Sequence, residues 1–155
     1  MNIKKMLEAQ KKLDEANLKK AGIEEYPIEE VKTAYRVELG ELLQEWKQFK
    51  FWKLSKGEID RDKLIEEWAD CCHFALSLEN GYKLDGEDVQ SRINSEMTNE
   101  IYGIYDIIDD CFKVDDWVLL ETISLGLKLG FTLEALEQAY YKKNKINWDR
   151  VNSSY

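Results

Sequence analysis

Glu38-Leu-Gly-Glu41 and Glu67-Trp-Ala-Asp70 each place two carboxylates three residues apart. On a helix that spacing sets the two acids side by side. In the first stretch Tyr35, Leu39, Leu42 and Trp46 recur at helical period and define a buried stripe. Glu38, Glu41 and Glu45 fall on one edge of that stripe, within about 60° of arc. In the second stretch Leu64, Ile65, Trp68, Ala69, Cys71, Cys72, Phe74, Ala75, Leu76 and Leu78 make the helix apolar nearly all round, the pattern of a buried helix. Carboxylates at the edge of buried surface are costly unless paired or bound to metal. Brought together, Glu38, Glu41, Glu67 and Asp70 would repel and raise one another's pKa unless cations intervene. The hard cation that suits an all-oxygen site is Mg2+, which keeps waters and accepts substrate phosphates as further ligands. Such a site supports metal-assisted hydrolysis of a polyphosphate. The plainer reading is that these acids are solvated or paired with surface lysines.

A second feature sits at the other end of the chain. The formal net charge is -9, which argues against a general nucleic-acid binder. Yet from 138 to 150 there are four basic residues, Lys142, Lys143, Lys145 and Arg150, against the single acid Asp149. An acidic protein with one basic segment can hold an anion there. The competing reading is a solvated helix end whose lysines suit the helix dipole.

The elements that must position these groups are helices. One proline and an abundance of Leu, Glu, Lys and Ala favour helix over sheet. Apolar periodicity and stop signals predict helices over 3–20, 28–51, 60–80, 86–110, 115–130 and 132–146, with a polar, mobile tail from 147 to 155. An all-α bundle of five or six helices in a single domain over 1–155 follows, with no repeat, linker or alternating strand pattern. Three cysteines make no disulfide framework, and one histidine makes no zinc set. Cys71 and Cys72 read as small core residues, and His73 as a satisfied structural histidine. No apolar run reaches the roughly 20 residues of a membrane span, and no signal core opens the chain, so a soluble cytoplasmic protein is expected. In Phe49-Lys-Phe-Trp-Lys53, Phe49 reads as core, like Trp46, whereas Trp52 reads equally as core or as a substrate contact.

Taken together, four blocks resemble the dimeric, all-helical dUTPases (dUTP diphosphatases) of the MazG-like nucleotide pyrophosphohydrolase superfamily. They are Gln10-Lys-Lys-Leu13-Asp14, Glu38-Leu-Gly-Glu41 with Phe49-Lys-Phe-Trp-Lys53, Glu67-Trp-Ala-Asp70-Cys-Cys-His73-Phe74, and Lys143-Asn144-Lys-Ile-Asn147-Trp-Asp-Arg150. The chain looks like the compact form of Gram-positive bacteria and their phages. The resemblance implies that Glu38, Glu41, Glu67 and Asp70 hold Mg2+, with Mn2+ as a substitute, and that Glu41 helps activate the attacking water. It implies that Lys143, Asn147 and Arg150 grip the phosphates with Asn144 assisting, and that Gln10, Asp14 and Trp52 face the nucleoside. It implies a homodimer and hydrolysis of dUTP, and of dUDP, to dUMP. Two other readings stand beside this one: a MazG-like pyrophosphohydrolase of another nucleotide, and a helical dimer that acts mainly by binding a regulatory protein. Residues 95–109, SEMTNEIYGIYDIID, match none of the blocks.

Overall fold

The computed structural model describes residues 1–95 and 102–153, and among them it contains seven helices and no strand. The helices are α1 (Ile3–Ala21), α2 (Ile28–Trp46), α3 (Arg61–Gly81), α4 (Glu87–Asn94), α5 (Ile104–Lys113), α6 (Val118–Lys128) and α7 (Leu133–Asn152). The all-helical class is as the sequence predicts, with one or two helices more than expected. Among the described residues no helix is long and apolar enough to cross a membrane.

The centre of the bundle is α3, as its nearly continuous apolar circumference requires. It packs against α1, α2, α6 and α7. Leu64, Trp68, Ala69, Cys71, Cys72, Ala75, Leu76 and Leu78 are all buried along it. Asp60 opens the helix, its carboxylate accepting from the backbone N–H of Asp62 and Lys63, each at 3.1 Å. Inside the core the Trp68 indole donates to the carbonyl of Thr122 at 2.8 Å, and the Tyr35 hydroxyl pairs with that of Thr122 at 2.7 Å. These bonds tie α2 and α6 to α3 at one height. Gly126 makes the crossing possible, because a Cβ there would lie 2.7 Å from both the Trp68 indole nitrogen and Leu136.

Three boundaries differ from the sequence expectation. The second helix ends at Trp46, not near residue 51, because Lys47 turns into the left-handed region at φ 65 and its N–H closes on the Leu43 carbonyl. The aromatic run after it then belongs to a loop, held by Lys47 donating to the Glu58 carbonyl and Lys56 to that of Gln48. The helix predicted over 86–110 is two: α4 ends at Asn94, and α5 begins after Gly103, whose N–H is taken by Asp106 at 3.0 Å. Residues 96–101 of the unassigned stretch 95–109 lie outside the described residues. The last helix continues to Asn152, so 147–152 are helical where a mobile tail was expected. The Lys20 ammonium supplies the reason: it donates to the carbonyls of Arg150, Val151 and Ser153 and caps the end of α7 from α1.

Candidate active site

α2 and α3 bring the acids together. Glu38, Glu67 and Asp70 each present a carboxylate oxygen, all within 4.8 Å of one another. None of the three is fully buried or fully exposed. Burial raises the pKa of each, and the other acids of the group add to it. Glu38 is pushed up to about 7 by desolvation, then by the charges of Asp70, Glu41 and Glu67. Glu41 itself is exposed and stands at the edge of the trio, close enough for its charge to bear on all three. The cluster is therefore short of positive charge. One cation already meets it: the Lys143 ammonium of α7 lies 2.7 Å from Asp70 Oδ2. Three converging carboxylate oxygens with no sulfur or imidazole nitrogen among them fit a hard divalent cation such as Mg2+.

Beside the cluster opens a pocket of about 260 Å3, walled by α1, α2, α3 and α7. Glu38 and Asp70 line it on the side of the carboxylate cluster, and Asn147 and Arg150 approach from α7. Gln10, Asp14 and Asn17 line it from α1, with His73, Phe74 and Ser77 from α3. Seven of the residues singled out from sequence thus share one pocket or the cluster at its mouth with the eighth and ninth, Glu41 and Lys143, at the edge. Arg150 Nη1 donates to Asn147 Oδ1 at 3.3 Å, so the two form a unit on the outer turn of α7.

Two predicted residues are placed elsewhere. Asn144 is buried, and its amide donates to the Tyr140 hydroxyl at 3.4 Å, behind the pocket. Trp52 is 61% exposed in the loop after α2, edge-on to Phe49 and Phe51, and does not line the pocket. His73 is only partly the satisfied core histidine expected. Its ring is buried against Tyr140 with centroids 4.6 Å apart, and Nε2 lies 3.4 Å from the Tyr140 carbonyl, but Nδ1 has no partner. Burial holds the imidazole neutral, with its pKa down at about 4. Sequence reasoning missed Ser77 and Asn17. Ser77 lies seven residues after Asp70, two helical turns along the same face, and that spacing was the available signal.

The bundle thus sets clustered carboxylates beside a lysine and an arginine at the mouth of a polar pocket. The chain belongs to the dUTPase family, whose profile it matches over residues 2–155, and it is an enzyme of dUTP hydrolysis. No curated protein matches it.

Proposed function

We propose that dUTP, and also dUDP, is hydrolysed here to dUMP with Mg2+ held by Glu38, Glu67 and Asp70 and completed by Glu41. The observation that carries this reading is the convergence of three half-buried carboxylates whose repulsion is relieved in part by a lysine ammonium. Bound to them, the ion supplies charge neutralisation on the phosphates and acidifies a coordinated water. Mn2+ offers the same oxygen preference and substitutes for it. Glu41, exposed at the edge of the cluster, takes the proton of the attacking water on a carboxylate oxygen. Water adds to phosphorus in line with the bond that breaks, so dUTP yields dUMP and pyrophosphate, and dUDP yields dUMP and phosphate.

Lys143 leaves Asp70 and turns to the phosphates when the cluster is filled, joined there by Asn147 and by Arg150, whose fork suits two phosphate oxygens at once. The pocket lined by Gln10, Asp14 and Phe74 takes the nucleoside. Trp52 reaches a nucleoside only by movement of its loop or in an assembly. The same reading makes the protein a homodimer, and the chain one MazG-like domain of the compact Gram-positive or phage form, working in the cytoplasm.

Glu41→Gln tests the chemistry. It is isosteric and sits on the surface, so helicity and thermal midpoint stay near wild type while turnover of dUTP falls by about 10²-fold or more. Near-normal turnover would remove Glu41 from the mechanism.

A further inference from the structure

The polar groups beneath the nucleoside pocket form a directed chain. The Asn144 amide donates to the Tyr140 hydroxyl at 3.4 Å. That hydroxyl donates to Gln10 Oε1 at 3.2 Å, with the Met6 carbonyl at the same distance. With its oxygen so engaged, the Gln10 amide points its two hydrogens onward, to Asp14 Oδ1 at 2.8 Å and Ser77 Oγ at 3.1 Å. The Ser77 hydroxyl, having accepted from Gln10, donates in turn across both oxygens of Asp14, at 2.9 Å and 2.8 Å. Every donor in the chain leads to one carboxylate, and Asp14 is its terminal acceptor. Gln10 and Ser77 are buried at 3% and 4% exposure, so neither amide nor hydroxyl has water to turn to instead. Among the described residues Oδ2 receives only the hydrogen it shares with Oδ1, which leaves it with unused acceptor capacity at a residue that lines the pocket.

We propose that Ser77 is a positioning residue, whose hydroxyl, together with the Gln10 amide, holds Asp14 as a fixed acceptor for the ring imide N–H of uracil. The proposal rests on the reading of this pocket as the nucleoside site. An ionised carboxylate offers no donor, so it suits a base that presents N–H at ring position 3. Cytosine presents a lone pair there, which meets the carboxylate as acceptor against acceptor. A site built to receive one specific hydrogen bond rejects an analogue that lacks the donor, because its own buried groups are left unpaired.

The carboxylate must be ionised for this, and its surroundings make that depend on pH. Desolvation raises Asp14 to about 6, against the hydrogen bonds from Ser77 and then Gln10, which lower it, with Glu15 adding a smaller upward push. The other charged or titratable groups that face it are Tyr26 from the loop after α1, His73 from α3, Glu38 and Asp70 across the pocket, and Tyr140 and Arg150 from α7. The buried Tyr26 hydroxyl lies beside Ser77 and within electrostatic reach of Asp14, but no hydrogen bond ties it into the chain.

The test uses 2′-deoxyuridine and 2′-deoxycytidine without metal, so that neither phosphate nor the carboxylate cluster contributes to recognition. Binding to the full chain is followed by NMR titration from pH 5.5 to 8 for wild type, Ser77→Ala and Asp14→Asn, alongside dUTP turnover by wild type. The expected result is a preference for deoxyuridine of about tenfold or more at pH 7.5, with its affinity falling as pH drops through the Asp14 midpoint. Ser77→Ala removes a bond that favours the ionised form, so the midpoint moves to higher pH while the preference survives near pH 8. Asp14→Asn, which keeps size but adds a donor, flattens the profile and narrows the preference. If Ser77→Ala weakens binding by one factor at every pH, or Asp14→Asn keeps the wild-type preference, the proposal is overturned while turnover of dUTP still stands. Loss of wild-type dUTP turnover itself would overturn the underlying reading as well.

Discussion

At the scale of the residue, the site is a matter of unbalanced charge. Asp70 and Lys143 are each about four-fifths buried and 2.7 Å apart, so the lysine competes with any cation the cluster takes up. Lys143→Met therefore tightens Mg2+ binding in the absence of nucleotide by about fivefold, the worth of a partly exposed pair of roughly 1 kcal/mol. The same variant weakens nucleotide binding in the presence of Mg2+. Calorimetric titration of both ligands checks it, and weaker Mg2+ binding by the variant would contradict the exchange of partners. The acids and the basic segment were legible in the sequence because i, i+3 spacing and apolar flanks specify where carboxylates must lie. Ser77 was not, because a lone serine two turns beyond Asp70 reads as filler until the residue it bonds, 63 positions away in the chain, is placed beside it. The contact of Asn144 with the Tyr140 hydroxyl was not legible either, since its motif does not say which of its members turn inward.

At the scale of the element, periodicity located the helices but not all of their ends. Asp60 and Gly22 acted as the sequence signals say, one capping α3 through its side chain and the other closing α1 at φ 68. The end of α2 was not legible, since Phe49 and Phe51 keep the apolar period going while a lysine, not a glycine, takes the left-handed turn. Gly81 is the last residue of α3, and its missing side chain makes room for the Tyr26 ring, 2.5 Å from where a Cβ would stand. Gly126 carries the same lesson in the core. By helix propensity alone, Gly126→Ala would stabilise α6 by about 1 kcal/mol. The contacts at 2.7 Å with Trp68 and Leu136 reverse the sign, and the variant loses about 1–3 kcal/mol, read from urea unfolding. A gain in stability would show that α3, α6 and α7 do not cross as closely as described.

At the scale of the whole molecule, the surplus of acid has a thermodynamic consequence. Glu38, Glu79 and Glu121 are each raised to about 7, chiefly by burial and then by neighbouring acids. Their folded pKa values exceed the unfolded ones, so the stability they contribute is present at low pH and is lost as pH rises through about 7. His73 acts in the opposite sense, but only below its unfolded value near 6.5, as the unfolded chain takes up a proton the buried ring refuses. Metal-free protein therefore melts at a higher temperature at pH 6.5 than at pH 8, and Mg2+ narrows the difference by stabilising the ionised cluster. A higher midpoint at pH 8 without metal would mean that these acids are not strained in the fold. The central claim is tested most directly by product release from a panel of dUTP, dUDP, dTTP, dCTP, dATP and UTP, with Mg2+ and with chelator. Hydrolysis is expected to be confined to dUTP and dUDP and abolished by the chelator. Hydrolysis across the panel, or turnover that survives chelation, would contradict it.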